Sequence, residues 1–288
     1  MLVLIGLVVV SISVFVGFAL EGGPLLLLIQ PVEFLIIGGS AIGTLLISSS
    51  PTVLRQLIRQ VMATTRASPY SKAFYLDLLQ LMYELLVKAK KSGLIALEAD
   101  LARPKESQIF GKHPLFTGQH EALEFICEGL GMLVDGTMRA DDFDAVLEAH
   151  LETHHDEETK AAGLLTKVGD ALPGLGIVAA VLGIVITMQH VDGKPEEIGH
   201  HVAVALVGTF LGILLSYGYV QPLAANLEGQ ADATSRYLRC IKNGLVAFAR
   251  GAPPLIAVEV ARHVVFSDER PQAEELSESC RSVMARAA

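Results

Sequence analysis

The chain has 288 residues, 51% of them hydrophobic and only 18% charged, and a formal net charge of −9. A soluble domain carries about a quarter charged residues, so the apolar excess excludes an ordinary soluble globule, and the negative balance argues against a nucleic-acid binder, which needs a basic face. Cys127, Cys240 and Cys280 stand far apart with no metal-ligand spacing, so they imply neither a disulfide framework nor a zinc site.

The apolar residues gather in four blocks, 1–20, about 34–50, about 172–188 and about 201–220. Each is near the ~20 residues that cross a hydrocarbon core as a helix. The first block has no basic start, and its end, Phe18-Ala19-Leu20-Glu21, is a poor cleavage signal; it reads as a retained span. No Lys or Arg lies between the first two blocks, and only Lys194 lies between the last two. Arg55, Arg59, Arg66 and Lys72 follow the second block, Lys160 and Lys167 precede the third, and Arg236, Arg239 and Lys242 follow the fourth. Flanking cations mark the cytoplasmic side, so both termini and the central segment are expected inside. The expected fold is all-α: four transmembrane helices in two hairpins with a large helical cytoplasmic domain. Its expected parts are a hairpin at 1–50, a cytoplasmic helical domain at 51–166, a second hairpin at 167–222 and cytoplasmic helices and tail at 223–288.

In the central segment Phe74, Tyr75, Leu78, Leu81, Met82, Leu85 and Leu86 recur at helical steps, predicting an amphipathic helix over 71–91. Lys88, Lys90 and Lys91 complement its carbonyl end, and Gly93 suits a left-handed cap. A short helix is expected at 94–101, carrying Glu98 and Asp100. Asp141 or Asp142 is expected to cap a long helix running into the third block. The fourth block should continue as helix until Gly251-Ala-Pro-Pro stops it, and the last dozen residues should be frayed.

Among the apolar blocks, the third is lined with Gly174, Gly176, Ala179, Ala180 and Gly183. GxxxG patterns occur at 39–43 and 208–212; they fit either packing within the chain or a subunit interface. Intramembrane ionisable groups mark pathways, yet Glu33 and Asp170 stand at the edges of their blocks, so proton transport calls for a carboxylate from another chain. Thr209 is the deep polar group, free or bonded back to the carbonyl four residues earlier. Pro173 and Pro222, at the cytoplasmic ends of blocks three and four, are kinks or paired hinges. His150, His154 and His155 lack the zincin order and read as an exposed polar face. No catalytic constellation forms, so no enzyme is expected.

The motifs QPVEFLIIGG at 30–39, KAFYLDLL at 72–79, VGDALPGLGIVAAVLGIV at 168–185, VGTFLGILLSYG at 207–218, PPLIAVEVAR at 253–262 and SDERP at 267–271 together resemble the MotA family of proton-driven flagellar stator subunits. The resemblance implies a bacterial inner-membrane subunit in a 5:2 complex with MotB, which supplies the proton-accepting aspartate. It implies torque delivered to the rotor protein FliG, and no cofactor beyond the proton as coupling ion. By the same resemblance Pro173, Ala180, Thr209 and Pro222 belong to the ion pathway and its coupling, and Lys90 and Glu98 to rotor contact. Ala180 stands where sodium-driven relatives carry threonine, Lys90 where the family usually has arginine, and Gly174 where it usually has alanine. The nearest alternative is a proton-channel scaffold of the ExbB/TolQ type.

Overall fold

A computed structural model describes residues 2–65, 70–136, 138–189 and 194–286; Arg66 lies outside them. Among the described residues all regular structure is helical. Four helices are long and apolar enough to cross a membrane. The chain divides into two compact units, 1–67 with 157–230, and 68–156 with 231–288.

The first unit holds the spans. Helix α1 covers Leu2–Leu20 and α2 covers Pro31–Ser48, with a 3-10 turn at Leu25–Leu28 between them. Pro31 starts α2, where its missing N–H costs nothing. Helix α3, Pro51–Ala63, follows at once, its first turn capped by the Ser50 hydroxyl, which accepts from Val53 N. Its apolar side, with Leu57 at the centre, packs on Ala161, Ala162, Leu165, Ala224 and Leu227. Gln60 Nε2 donates to the Glu158 carboxylate at 2.9 Å and Gln56 Nε2 to Glu157 O at 2.9 Å.

The second unit is built around α4, Lys72–Ser92. The expected stripe of α4 is buried from Phe74 to Leu86, with Tyr75 and Phe74 against Tyr237 at ring separations of 5.4 and 5.1 Å. Around it lie α5 (Glu98–Ala102), α6 (Pro114–Thr117) and α7 (His120–Val134). Helix α8 is Ala140–Met188, α9 is Pro195–Ile213, and α10 is Gln221–Ala249. Helix α10 ends before Gly251, whose φ of 92° only glycine adopts readily. Helices α11 (Pro254–Arg262) and α12 (Ala273–Arg286) complete the chain.

The short helical stretch expected at 94–101 forms as a 3-10 turn at 94–97 that runs directly into α5. Three local expectations change. Gly93 has the positive φ of 85° but a ψ of 158°, because the chain turns directly into that 3-10 segment and forms no left-handed cap. Asp141 and Asp142 lie in the first turn of α8, not at its cap, where they still meet its free N–H groups. The tail is α12 instead of frayed chain: Leu276 and Cys280, one turn apart, are buried in the core of this unit.

Candidate functional site

The α8–α9 pair of the first unit is made by glycine. A methyl on Gly176 would stand 2.7 Å from Gly208 O, and one on Gly212 2.6 Å from Leu172 O. A methyl on Gly183 would stand 3.0 Å from the Ala205 side chain. Only hydrogens fit at these crossings, so the backbones touch along more than two turns, the contact that replaces hydrophobic drive in lipid. The GxxxG at 208–212 therefore packs within the chain. Gly39 and Gly43 of the other GxxxG meet no atom where a methyl would be added, so that pattern has no intrachain partner among the described residues.

At the far end of the pair, Pro173 lies inside α8 and has no N–H to give the carbonyl four residues earlier, that of Gly169. The buried Ser216 hydroxyl donates to Gly169 O at 2.7 Å, supplying the missing bond from the facing helix. Ser216 belongs to a π-helical segment, Leu214–Val220, that joins α9 to α10 just before Pro222. A π stretch shifts the bonding register, with Gln221 N bonding to Ser216 O, and so accommodates a proline that cannot donate. Gln221 Nε2 also donates to Asp170 Oδ1 at 2.9 Å. Bonds between the helices thus tie the two proline segments together, Pro173 next to the Leu172–Gly212 contact and Pro222 next to the Gly169–Gln221 contact. Pro173 is partly buried and Pro222 exposed.

Higher in the pair, a methyl on Gly208 would stand 3.2 Å from Ala180 N, which brings Ala180 and Thr209 to one level. Ala180 is buried and Thr209 partly so. The Thr209 hydroxyl makes no hydrogen bond among the described residues, so the bond back to residue 205 is not formed; Thr187 does make such a bond, to Gly183 O at 2.9 Å. The reading of Glu33 as an edge residue changes. It is 4% exposed, on one stripe of α2 with the buried Ile37 and Ala41. A methyl on Gly208 would stand 2.5 Å from its Oε2. The helical spacing of Glu33, Ile37 and Ala41 was the sequence signal for this inward face.

In the second unit Lys90 and Glu98 are both exposed, and neither has an ion-pair partner among the described residues. Lys88, grouped with them by sequence, is instead tied to Asp100 at 2.5 Å, whose other oxygen accepts from Ser107 at 2.6 Å. Ile95, between Lys90 and Glu98, is 73% exposed. Elsewhere in this unit Lys242 is nearly buried and bridges Asp144 at 2.6 Å and Glu148. The hydrogen bond from Lys242 holds the Asp144 carboxyl below the usual carboxylate range against the opposing effect of burial, with Arg250 adding to it. Arg262 clamps Glu259 and donates to Pro271 O at 3.1 Å, which accounts for the PPLIAVEVAR and SDERP motifs. The histidines of HLETHH disperse: His150 approaches Glu128 at 3.7 Å, His154 Glu121 at 3.4 Å, and His155 Ser235 at 3.0 Å. Among the described residues no three metal-ligating side chains converge.

Four spans with a glycine-packed third and fourth define a polytopic helical membrane protein, and the comparisons place it further. Residues 4–93 match the family model described as Motility protein A N-terminal, and residues 118–239 match the MotA/TolQ/ExbB proton channel family. The chain is 39% identical to Motility protein A of Salmonella typhimurium over 98% of this chain and 96% of that protein. It is 35% identical to Chemotaxis protein LafT of Vibrio parahaemolyticus, covering 93% of this chain and 94% of the other. The fold superimposes on the solved structure of C. jejuni MotAB with a TM-score of 0.76 at 21% identity, covering 92% of this chain and 96% of that one. The chain belongs to the MotA family of flagellar motor stator proteins.

Proposed function

We propose that the chain works with a MotB-type partner to conduct protons along the α8–α9 pair and to turn that flow into torque on the rotor protein FliG. The observation that carries this reading is the 39% identity to a motility protein A over nearly the full chain. The match at 4–93 to the motility N-terminal model favours a stator over an ExbB/TolQ-type scaffold. Pro173, Ala180, Thr209 and Pro222 line and couple the pathway. Supporting this, Ala180 and Thr209 share a level and the two prolines sit on helices joined through Ser216 and Gln221. Ala180 offers no oxygen, whereas a dehydrated sodium ion needs several, which favours protons.

Protonation of the partner's aspartate removes a charge facing the pair, and the cost of that charge in a low-dielectric channel changes with it. The prolines take up the resulting movement, and Lys90 and Glu98 act on charges of the rotor, where exposed charges give fast engagement and release. Five copies surround two of the partner, with both termini inside the cell. The bare face of α1, which buries no residue, and the open Gly39–Gly43 side of α2 suit contact with lipid and neighbouring copies.

Cytoplasmic acidification under an imposed proton gradient tests the reading. The chain is expressed alone, with its partner trimmed of its plug, and with that partner's aspartate changed to asparagine. Uptake only with the intact aspartate is expected. Uptake by the chain alone would make it a self-contained channel, and sodium uptake in place of protons would overturn the choice of ion.

A further inference from the structure

Glu33 is the only Asp, Glu, Lys, Arg or His in residues 22–54, and none occurs in 171–188 or 202–227. A glutamate in the first turn of a helix has an easy place, turned to water or to the free N–H groups. Glu33 takes neither. It has no hydrogen bond or ion pair among the described residues, its Oε2 is buried without a partner, and it is 96% removed from solvent. Its carboxyl reaches between α8 and α9: a methyl on Gly208 would stand 2.5 Å from Oε2, and one on Gly183 3.9 Å from Oε1. Glycine at 208 is what makes room for it.

The depth follows from the helices. Gly183 lies five residues before the end of α8 at Met188, about 7.5 Å of helix rise. Pro173 lies ten residues beyond Gly183, about 15 Å on the other side. The carboxyl therefore sits toward the outer end of the pathway, beside Ala180 and Thr209. Among the described residues no titratable side chain faces it from the elements packed around it. Gly183 and Gly208 meet it from α8 and α9, with Ala205 and Ala179 beside those glycines, the turn before α2 offers Leu25–Leu28, and the nearest ionisable group along α9 is His201, seven residues before Gly208. With no cation beside it among the described residues, an ionised carboxylate there is strongly disfavoured, and a proton is the smallest ligand that removes the charge.

We propose that Glu33 is a proton-binding site of this chain itself, which takes protons from the outer side and passes them along Ala180 and Thr209 toward the partner's carboxylate. The inference rests on the stator reading. In each transfer the proton leaves the Glu33 carboxyl as the partner's carboxylate accepts it, and a proton from outside restores Glu33, so one charge moves inward.

The test is proton uptake per assembled complex, with the chain co-expressed with the plug-trimmed partner and the amount of complex measured by co-purification, across external pH values spanning neutrality. Glu33→Gln, which keeps the shape and removes the exchangeable proton, is expected to lower uptake about tenfold or more, in the range of a lost proton-transfer group. The deficit should be greatest at alkaline external pH, where protons are scarce; Glu33→Asp should keep much of the rate. A merely structural glutamate would reduce the amount of complex and leave uptake per complex and its pH profile unchanged, which overturns the proposal. If Glu33→Gln does not assemble, Glu33→Asp decides: a pH profile displaced from that of the unaltered chain supports the site, and an identical one overturns it. Failure of the unaltered chain to conduct with its partner overturns the stator reading, and this site with it.

Discussion

Ser216 and Lys242 show how single side chains compensate for what their neighbours lack. The Ser216 hydroxyl answers the Gly169 carbonyl that Pro173 leaves without a helical donor. Ser216→Ala would strand a buried acceptor, at a cost of about 1–3 kcal/mol, measurable as a lowered thermal midpoint of the purified protein. Ser216→Thr, which keeps the hydroxyl, should lose less if its methyl is accommodated. At Lys242 the effect is electrostatic. Because Asp144 titrates lower in the folded chain than in the unfolded one, its contribution to stability is complete above the unfolded value. It is lost as pH falls through the folded value. Lys242→Met should cost about 2 kcal/mol near neutrality, since a charge pair in a partly buried site loses one member. It should also flatten the acid side of a stability-against-pH profile; an unchanged acid slope would show that the pair is not the source.

At the scale of elements, the α8–α9 pair is held by absence of side chain. Gly212→Ala would drive a methyl onto Leu172 O, and Gly176→Ala onto Gly208 O; both obstacles are backbone and cannot rotate away. Overpacking of this kind costs about 1–3 kcal/mol. Here it should also splay the helices and abolish proton uptake with the plug-trimmed partner, whereas Gly39→Ala, with open space around it, should leave the fold of the chain intact. Equal loss from Gly39→Ala and Gly212→Ala in the stability of the isolated chain would contradict this division. The π segment Leu214–Val220 is the complementary device: its looser register lets Pro222 follow a continuous helix without a break.

For the whole molecule, the proposed reading assigns conduction and torque to different units, so the two should be separable. Reversal of both charges, Lys90→Glu with Glu98→Lys, should abolish or reverse productive rotor engagement, read as lost swimming or tethered-cell rotation. Proton uptake with the plug-trimmed partner should stay near that of the unaltered chain. Neither side chain has an internal ion partner among the described residues, so the change should cost the fold under about 0.5 kcal/mol. Lys90→Arg should raise torque at high load, because a planar guanidinium engages carboxylates in bidentate fashion where an ammonium cannot. Unchanged rotation after the double reversal would place the rotor-facing surface elsewhere.

The order of apolar blocks and the three- to four-residue steps from Phe74 to Leu86 were enough to specify four spans and the main helix of the second unit, because length and periodicity depend on local sequence alone. Helix α3 was not read from the sequence, although Ser50-Pro51 and the spacing of Val53, Leu54, Leu57 and Val61 carry its signal. The short motifs were sufficient for the family. Sequence separated neither Lys88 from Lys90 nor Gly39 from Gly208, since each pair is alike in type and neighbourhood. Only the fold gave Lys88 to Asp100 and closed Gly208 against Gly176. Likewise position along the chain put Glu33 at a helix end, while the direction of its side chain depended on which face of α2 meets α8 and α9. What the sequence determined alone was therefore periodic and local. The tertiary structure decided which polar group lost water, because burial depends on the neighbours that fill the space around it.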